Sequence, residues 1–428
     1  MKKNVSSLLV LFLILAPTWL GGCALMDIIA PDIQASPAPT AVPLPTVVPT
    51  NTLAPTTVST SLPVDTATPA VNEEDITLPT RVHQPPESLQ LPAGFGISVY
   101  ASGLKGPRLM ALGPAGDLYV AERNGGRILR LPDRNQDGVV DRIEVAAENL
   151  DAPSSLAFFN DGSLYAAETT RIYRLTDPDG DGFFQEREII LQGLPGGGHS
   201  TRTVLFGPGY EYLYVSIGSS CNVCIEEDYR RATVMRYRPD GGSEEIFADG
   251  LRNAVGIEFR PGTRELWATN NGRDWLGDDQ PPETIYQLEK GDDAGWPWCH
   301  AGRIIDPDYG EPGNCQGKLD PAVEMQAHSA PLGLAFYSGE GFPAQFRGDM
   351  FIAFHGSWNR SQPTGYKIVR VPFQNGAPGQ VEDFLVGWLR EDGSHWGRPV
   401  DLITGPEGSL FISDDGQGRI YRVFYHGQ

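Results

Sequence analysis

The chain reads LYVA at residues 118–121 and, after a short turn, ILRL at residues 128–131. Short runs of aromatic and β-branched residues, bounded by Gly, Pro, Asn and Asp, are typical of antiparallel strand pairs. This two-strand phrase occurs six times. The outgoing strands are LYVA 118–121, LYAA 164–167, LYVS 213–216, LWAT 266–269, MFIA 350–353 and LFIS 410–413, and the returning strands are ILRL 128–131, IYRL 172–175, VMRY 234–237, IYQL 285–288, IVRV 368–371 and IYRV 420–423. A repeat of roughly 45–60 residues has room for about four strands. The sequence therefore predicts an all-β fold, a six-bladed β-propeller with a central channel.

The first 22 residues predict a targeting signal rather than part of this fold. Lys2 and Lys3 precede an apolar run over residues 8–15, which is too short to span a membrane. Residues 20–23 read LGGC and resemble a bacterial lipobox. We therefore expect residues 1–22 to be a lipoprotein signal peptide and Cys23 to be acylated. The alternative is an ordinary signal peptide followed by an incidental cysteine. On the first interpretation the protein is exported and lipid-anchored to the bacterial cell envelope.

The segment that follows, residues 23–85, is predicted to be a disordered linker behind the lipid anchor. Between residues 31 and 70 it is rich in Pro, Thr, Ala and Val, and Asp32 and Asp65 are its only charges. Such a composition cannot bury a core, and its prolines favour extended conformations. The linker would tether a propeller domain at residues 86–428 to the membrane.

The cysteines and the net charge narrow the class of protein further. With Cys23 assigned to lipid, four cysteines remain, and in an exported protein these predict disulfides Cys221–Cys224 and Cys299–Cys315. A zinc site made from the same four residues is the alternative. The net charge of −21 argues against a nucleic-acid partner and against a broad anionic lipid surface. It suits an extracytoplasmic enzyme or a protein that binds cations.

Two segments have the spacing of calcium-binding loops. Both place oxygen-bearing side chains at positions 1, 3, 5 and 12 and glycine at position 6, as in the loop of an EF-hand. The ligands predicted from this spacing are Asp133, Asn135, Asp137 and Glu144 in the first loop and Asp177, Asp179, Asp181 and Glu188 in the second. A calcium ion here would be structural. The alternative is a pair of solvated Asp-Gly turns.

Polar residues come immediately before or at the start of the strand that would line the channel in each blade. They are Arg108, Ser154, Ser155, His199, Arg202, Arg252, Asn253, His328 and Arg398. Several arginines converging on one cavity in so acidic a chain predict an anionic ligand with several carboxylates or phosphates. The alternative is that each arginine pairs with an acidic residue of a neighbouring blade.

Several phrases of the sequence resemble the soluble glucose/sorbosone dehydrogenases, which use pyrroloquinoline quinone (PQQ). They are GGGHS 196–200, LFGP 205–208, GLRNAVG 250–256, DDAGWP 292–297 and HGSWN 355–359. The resemblance covers roughly residues 91–425. It is closer to the sorbosone dehydrogenase branch, through SSCN 219–222 and HGSWN 355–359. The resemblance implies a six-bladed propeller with PQQ and calcium as cofactors.

The resemblance also implies roles for single residues. His199 would be the general base that takes the sugar hydroxyl proton as hydride passes to the quinone. Cofactor contacts are implied for Arg108, Arg252, Asn253, His355, Lys367 and Arg398, and ligands of a quinone-bound calcium for Asn271, Gly272 and Asp274. Elementary chemistry is consistent with these roles, because a quinone with three carboxylates needs cationic partners and an imidazole suits proton abstraction near neutral pH. A calcium ion on the quinone would polarise its reactive carbonyl.

The sequence departs from the glucose dehydrogenase branch at two places. Ser219 stands where that branch has an aspartate that orients the base, so His199 needs another partner. Residues 275–277 are an insertion relative to that branch, which leaves the individual calcium ligands open.

The function predicted from these residues is a PQQ-dependent dehydrogenase. It would oxidise an aldose or a related sugar, such as a sorbosone-type aldehyde or hemiacetal, and pass the electrons to an external acceptor. One alternative is a calcium-dependent propeller hydrolase of the lactonase kind, which would need two or more carboxylates converging on the channel. The other is a non-catalytic propeller that binds a ligand in its channel.

Overall fold

The computed structural model describes residues 89–427, and these residues form six antiparallel sheets, the blades of a β-propeller. The prediction of an all-β, six-bladed propeller is confirmed. The lipoprotein signal at residues 1–22, the acylated Cys23 and the linker up to residue 85 lie outside the described residues. No helix within residues 89–427 is long and apolar enough to cross a membrane.

Each blade consists of four strands, counted from the channel outward, and blade 3 has a fifth. The first strand among the described residues is β1 (Phe95–Ser102), which belongs to blade 6. Blade 1 contains β2 (Pro107–Leu112), β3 (Leu118–Glu122), β4 (Arg127–Leu131) and β5 (Glu144–Ala147), and blade 2 contains β6 (Ser155–Phe158), β7 (Leu164–Ala167), β8 (Arg171–Thr176) and β9 (Glu186–Gln192). Blade 3 contains β10 (Arg202–Phe206), β11 (Leu213–Ile217), β12 (Thr233–Tyr237), β13 (Glu245–Asp249) and, later in the chain, β17 (Asp292–Asp293).

The second half of the ring repeats this arrangement. Blade 4 contains β14 (Ile257–Phe259), β15 (Leu266–Asn270), β16 (Glu283–Leu288) and β20 (Val323–Met325), with the hairpin β18 (Cys299–His300) and β19 (Ile304–Ile305) inserted before its last strand. Blade 5 contains β21 (Pro331–Phe336), β22 (Met350–Phe354), β23 (Lys367–Val371) and β26 (Glu382–Leu385), with the hairpin β24 (Phe373–Gln374) and β25 (Ala377–Pro378) between its last two. Blade 6 contains β27 (Pro399–Thr404), β28 (Leu410–Asp414), β29 (Arg419–Tyr425) and β1.

The repeated apolar phrase reflects burial of both faces of each blade. In β3, Tyr119 and Ala121 belong to the core shared with blade 2, whereas Leu118 and Val120 belong to the core shared with blade 6. Within the described residues, one such core lies between every two neighbouring blades. A strand that is buried on both faces reads as a continuous apolar run. This is why the six phrases lack the alternation of a half-exposed strand.

The ring closes through β1, which pairs with β29 from Phe95 opposite Tyr425 to Ser102 opposite Arg419. The ring of Phe95 lies 4.8 Å from that of Phe342 and 5.2 Å from that of Phe384, both in the core between blades 5 and 6. The first described strand of the chain and the last therefore complete one blade together.

Buried side chains bridge the inner strands of neighbouring blades, because these strands belong to separate sheets. Ser155 Oγ accepts from the Val204 N–H (3.1 Å), and Thr203 Oγ1 donates to the Val255 carbonyl (2.5 Å). The other bridges are Thr269 Oγ1 to the Leu332 carbonyl (2.8 Å), the Phe336 N–H to Glu258 Oε2 (3.1 Å) and the Met110 N–H to Asp401 Oδ2 (2.8 Å). We call Ser155, Thr203, Glu258, Thr269 and Asp401 the belt. Because an unpaired backbone group is costly to bury, the belt stabilises the ring at its axis.

An apolar plug fills the channel beside the belt. It consists of Leu109, Val255, Leu332 and Val400, four buried side chains from four blades in mutual contact. Beyond the plug, the later halves of the inner strands line a cavity of about 510 Å³. Of the polar residues that the sequence placed along the channel, Ser155 lines that cavity, whereas the predicted catalytic and cofactor-binding residues do not. Those catalytic and cofactor-binding residues therefore lie toward the opposite end of the channel.

We expect the belt carboxyl of Asp401 to make stability depend on pH. Burial raises the pKa of Asp401 to about 7. Since this pKa is raised on folding, the folded protein binds more protons than the unfolded chain between about pH 4 and pH 7, and stability falls as pH rises through that range. Asp401→Asn keeps an oxygen for the Met110 N–H and removes the ionisation. The free energy of unfolding of the variant, relative to the natural protein, should rise from pH 4 to pH 7 by on the order of 3 kcal/mol.

Urea denaturation at several pH values measures this difference. The matched control is Asp392→Asn, at a carboxyl on an exposed loop. A difference for Asp401→Asn that stays constant from pH 4 to pH 8 would contradict the assignment.

Candidate active site

The loops that precede the inner strands and the loops that join the second and third strands of the blades meet at one end of the channel, which we call the mouth. The segments of the mouth that matter most are 194–201, 218–232, 250–256, 271–282, 355–366 and 415–418. Hydrogen bonds between these segments connect blades 3, 4, 5 and 6 with blade 1.

A glycine-rich turn places His199. Gly198 has a φ of +59°, and a Cβ there would lie 2.5 Å from the Ser220 backbone, so the turn requires glycine. Two buried arginines hold the turn through its carbonyl oxygens. Arg202 Nη1 donates to the His199 carbonyl (2.8 Å), and Arg231 Nη1 donates to the carbonyl of residue 197 (3.1 Å). These arginines support the backbone and are not free to bind a ligand.

The imidazole of His199 is oriented by Ser219. Its Nδ1 lies 2.9 Å from the Ser219 hydroxyl oxygen and 3.0 Å from the Ser219 carbonyl oxygen. The hydroxyl donates its own proton to the Cys221 carbonyl (2.6 Å), so both Ser219 oxygens act as acceptors toward His199. The proton of the neutral ring is therefore on Nδ1, and Nε2 carries the lone pair. Ser219 thus supplies the partner that the sequence left open.

The electrostatic surroundings keep this ring neutral. Burial and the positive charge of Arg252 lower the pKa of His199 to about 4. The ring is therefore unprotonated at neutral pH. Neighbouring Asn253 fits closely beside it, since a Cβ on Gly218 would lie 2.5 Å from Asn253 Oδ1 and 2.6 Å from the Cβ of His199. An unprotonated Nε2 in such a setting can accept a proton from a substrate.

Arg252 is buried, and protein groups hold it. Its Nη2 donates to Asp274 Oδ2 (2.8 Å) and to Asn222 Oδ1 (3.0 Å), and its Nη1 donates to the Asn271 carbonyl (3.3 Å). Its backbone carbonyl accepts from the Ser219 N–H (2.8 Å). Arg252 therefore links the segment that orients His199 with the segment predicted to bind calcium.

A second cationic group lies between blades 5, 6 and 1. Asp415 accepts from Arg108 Nη1 (2.7 Å) and bonds His355 Nε2 (2.9 Å). Burial opposes ionisation of Asp415, but the bonds to His355 and Arg108 hold its pKa at about 2. Burial lowers the pKa of His355 to about 4. Arg398 joins this group by donating from Nε to the His355 carbonyl (3.2 Å).

Arg123 connects the two groups, and the sequence analysis missed it. It lies in the 3₁₀ turn Arg123–Gly125 of blade 1, and its Nη2 donates to the hydroxyl of Ser200, next to His199. Burial and the nearby charge of Arg108 lower the pKa of Arg123. Its position after the first outgoing strand is the only signal that could have indicated it.

The segment predicted to bind the quinone's calcium offers fewer ligands than expected. Both carboxylate oxygens of Asp274 are bonded, one to Arg252 and one to Asn359 Nδ2 (2.9 Å). The Asn271 carbonyl accepts from Arg252, and the Gly272 N–H donates to the buried Glu283 (2.6 Å). The structure therefore brings Asn271, Gly272 and Asp274 to the mouth but uses the Asp274 carboxylate to hold Arg252.

Lys367 directly follows the mouth segment 355–366, but its side chain pairs toward the outer edge of blade 5. Its Nζ pairs with Asp383 Oδ1 at 2.5 Å, and Asp383 belongs to β26, the outermost strand of that blade. The other five predicted contacts come from the first or second strands of their blades or from the loops beside those strands: Arg108, Arg252, Asn253, His355 and Arg398.

The EF-hand-type loops are brought together only in part. In the second loop, carboxylate oxygens of Asp177, Asp179 and Asp181 lie within 4.8 Å of one another. In the first loop, Asp133 and Asn135 accept from the N–H of Asp137 at 3.1 and 3.0 Å, as in a solvated turn. Calcium at either loop stays a prediction.

The structure does not bring the position-12 glutamates to these loops. Glu144 lies opposite Arg130 and Glu188 opposite Arg174 in the β-ladders. The two ion pairs measure 3.4 and 3.9 Å. The spacing along the sequence matched an EF-hand loop, but the strand register turns both side chains toward arginines.

The predicted disulfides Cys221–Cys224 and Cys299–Cys315 are both confirmed. The alternative of a zinc site made from these cysteines is excluded, because the thiols are paired covalently. Cys221–Cys224 closes the turn that contains Asn222, whose oxygens hold Arg252.

Comparisons with known proteins show what this chain is similar to. Residues 82–422 match the family described as a domain of unknown function, DUF7133. An uncharacterized protein of Borreliella burgdorferi is 30% identical over 354 residues, which cover 79% of this chain and 91% of that protein. A pyrroloquinoline quinone-dependent pyranose dehydrogenase of Coprinopsis cinerea is 25% identical over 411 residues, which cover 79% of this chain and 55% of that enzyme.

Solved structures share the fold. The holo form of the PQQ domain of the Coprinopsis cinerea enzyme superposes with a TM-score of 0.69 and 23% identity, covering 80% of this chain and 98% of that one. The calcium structure of a Trichoderma reesei enzyme of carbohydrate-active family AA12 gives a TM-score of 0.69 and 22% identity, covering 81% and 98%. The resemblance to PQQ-dependent sugar dehydrogenases that the sequence motifs indicated is therefore confirmed.

We expect Ser219→Asp to raise the pKa of His199. The substitution places a negative charge beside Nδ1, where the structure has a neutral hydroxyl, and stabilises the protonated ring by roughly one to three pKa units. An NMR titration of the His199 ring, assigned with His199→Gln, measures the midpoint. The matched control is Ser220→Asp, which adds the same charge at the adjacent, exposed position. An unchanged midpoint in Ser219→Asp would show that Ser219 does not orient the ring.

Proposed function

We propose that this chain, which belongs to the DUF7133 family, is a PQQ-dependent sugar dehydrogenase that oxidises an aldose or a related sugar and passes the electrons to an external acceptor. The observation that carries the proposal is the neutral His199, whose Nε2 has no hydrogen-bond partner among residues 89–427, beside a group of arginines that outnumber their carboxylate partners. The pyranose dehydrogenase relative is PQQ-dependent by name and supports the same activity.

The residues at the mouth fit a tricarboxylate such as PQQ. Burial and the charges of Arg398 and Arg108 lower the pKa of His355, and burial and the charge of Arg108 lower the pKa of Arg123. These cations therefore lie close together, and Asp415 is the carboxylate that pairs with Arg108 among them. The Nε of Arg108 is buried and has no hydrogen-bond partner in the described part of the chain. An excess of buried positive charge and an unsatisfied donor are what an anionic cofactor would neutralise. Arg108, Arg123, Arg398 and Asn253 would hold it.

When bound, PQQ would supply a quinone that takes two electrons and the C–H hydrogen of the sugar. The chain's own contribution is the base. His199 Nε2 takes the proton of the hydroxyl at the carbon being oxidised, while Ser219 keeps Nδ1 protonated and the ring fixed. Burial, together with the charge of Arg252, keeps this base unprotonated at neutral pH.

We include calcium beside the quinone in the proposal, with backbone oxygens of residues 272–273 as the ligands, since the Asp274 carboxylate is bonded to Arg252 and Asn359. The calcium structure of the AA12 enzyme supports a calcium-binding fold. The substrate within the sugars, including a sorbosone-type aldehyde, and the acceptor belong to the same proposal.

A lactonase-like hydrolase is less well supported. It would need carboxylates that converge on a metal, and the carboxylates described at the mouth are bonded to other protein groups. Asp274 bonds Arg252, Asp415 bonds Arg108 and His355, and Glu283 accepts the N–H groups of Gly272 and Ala330.

His199→Gln should reduce the turnover of aldoses at least about a hundredfold, because the general base is lost. The variant should still bind PQQ, because the arginines remain.

Arg398→Ala and Arg123→Ala should instead weaken PQQ binding, each by roughly 1.5–3 kcal/mol, because a charge-assisted hydrogen bond is lost. PQQ titrations followed by absorbance, with calcium and after chelation, measure the binding. A dye-coupled assay with an aldose panel measures turnover.

The matched control is Lys367→Ala, which removes a cation paired with Asp383 on the outer strand. It should leave PQQ affinity unchanged. Loss of binding in Lys367→Ala but not in Arg398→Ala or Arg123→Ala would place the cofactor elsewhere. Full activity of His199→Gln would remove His199 as the base.

We also propose that the chain is exported and lipid-anchored through Cys23. Two disulfides support an oxidising compartment. In cells given radiolabelled palmitate, the natural chain should incorporate label and sediment with membranes, and Cys23→Ala should do neither. An unlabelled natural chain would contradict the anchor.

A further inference from the structure

Two tryptophans at the mouth are exposed to solvent. Trp275 is 66% exposed and Trp358 is 65% exposed, and their ring centroids lie 5.0 Å apart at an interplanar angle of 84°. We call these residues the tryptophan pair. Most large apolar side chains of the described residues are buried in the cores between blades. Two adjacent indoles left in water beside a candidate active site mark a binding surface.

The backbone holds the pair in place at some strain. Trp275 has a φ of +72°, a conformation that a bulky side chain rarely adopts. Hydrogen bonds between the two loops offset this strain. Asn359 Nδ2 donates to Asp274 Oδ1 (2.9 Å), a bond between the residues adjacent to the two tryptophans, and the Ser361 N–H donates to Asp278 Oδ1 (3.0 Å). The loops 271–282 and 355–366 are therefore joined, and the two rings are positioned before any ligand arrives.

The pair is linked to His199 through intervening residues. The Ser219 N–H donates to the Arg252 carbonyl, and Arg252 Nη2 donates to Asp274, which precedes Trp275. Ser219, Arg252 and Asp274 therefore stand between the base and the pair along this series of bonds. A substrate that extends along this series from His199 would reach the tryptophans with a ring next to the one that reacts.

We propose that the tryptophan pair binds a second sugar ring, so that the substrate class is a neutral oligosaccharide oxidised at its reducing end. This inference rests on the proposed function and extends it from a sugar to an oligosaccharide. Pyranose rings with equatorial substituents present C–H groups on both faces, and the negative face of an indole attracts them. Because the two indole rings are nearly perpendicular, one presents its face and the other its edge to a ligand. This arrangement matches a pyranose ring, which has flat C–H faces and hydroxyls around its edge.

Size and charge favour a sugar over other ligands. A specific protein interface takes about 20–30 residues on each side, far more than two rings. A polyanion would need unpaired cations beside the pair, and the arginines of the two loops, Arg273 and Arg360, are paired with acidic residues. A neutral ligand of one or two rings remains.

Calorimetric titration of the quinone-free protein with β-1,4-linked glucose oligosaccharides of one to four rings tests the inference without turnover. Affinity should increase about tenfold from one ring to two or three, which corresponds to about 1.4 kcal/mol. Trp275→Ala and Trp358→Ala should each remove most of that increase. The matched control, Tyr210→Ala, replaces an aromatic residue 40% exposed at the far end of the channel and should retain the full increase.

Turnover assays with PQQ separate this inference from the proposed function. A higher kcat/KM for longer sugars that disappears in the tryptophan variants would support both. Suppose that binding depends on chain length and on the tryptophans, but no sugar is turned over. This result would contradict the proposed dehydrogenase activity and would still support a sugar-binding site at the tryptophan pair. Turnover that is indifferent to chain length, or length dependence that survives in both tryptophan variants, would overturn the second-ring site. So would variants that change only the KM for a small basic cytochrome used as the acceptor, since the pair would then be a docking surface for a protein.

Discussion

The belt of buried hydrogen bonds between inner strands is the constraint on which the rest of the molecule depends. Inner strands of neighbouring blades lie in different sheets, so their backbone groups at the axis have no ladder to join. Ser155, Thr203 and Thr269 supply hydroxyls, and Glu258 and Asp401 supply carboxyls, to groups of the next blade. Burial raises the pKa of Glu258 to about 8, so that this carboxyl serves the fold largely without its charge. Because the belt fixes the inner strands, it also fixes the loops that precede them, and those loops carry the site.

The site uses charge in two ways. Some arginines hold the protein together: Arg202 and Arg231 donate to carbonyl oxygens of the glycine-rich turn, and Arg252 pairs with Asp274. Others are not balanced by carboxylates: of Arg108, Arg123 and Arg398, only Arg108 forms an ion pair within the described residues, with Asp415. The arginines of this first set also affect the base, because burial and their positive charges together lower the pKa of His199. The second set is available to an anion. This division explains how so acidic a chain can have a cationic mouth.

The fold could be predicted from the sequence because burial of both faces leaves a strong local signal, the apolar phrase at residues 118–121 and its five repeats. His199 and Arg398 could be placed because they precede inner strands, a position that topology alone brings to the mouth. Strand register and turns carried no such signal. Glu144 faces Arg130 because of a ladder that loop spacing does not encode, Lys367 pairs across to the outer strand, and Arg123 reaches Ser200 from a turn without a motif. The partner of His199 was hidden for another reason, since a serine beside a carbonyl oxygen replaces the expected carboxylate.

The apolar plug of Leu109, Val255, Leu332 and Val400 has a consequence for how such a site must operate. The four side chains pack together between the mouth and the cavity at the far end, so a reactant would approach and leave the base from the mouth side. If the mouth holds a resident electron carrier, as proposed, product and acceptor would share this entrance, and release of the product before the acceptor arrives would give kinetics of the ping-pong kind. Four aliphatic side chains that touch neither reactant would then influence the order of events.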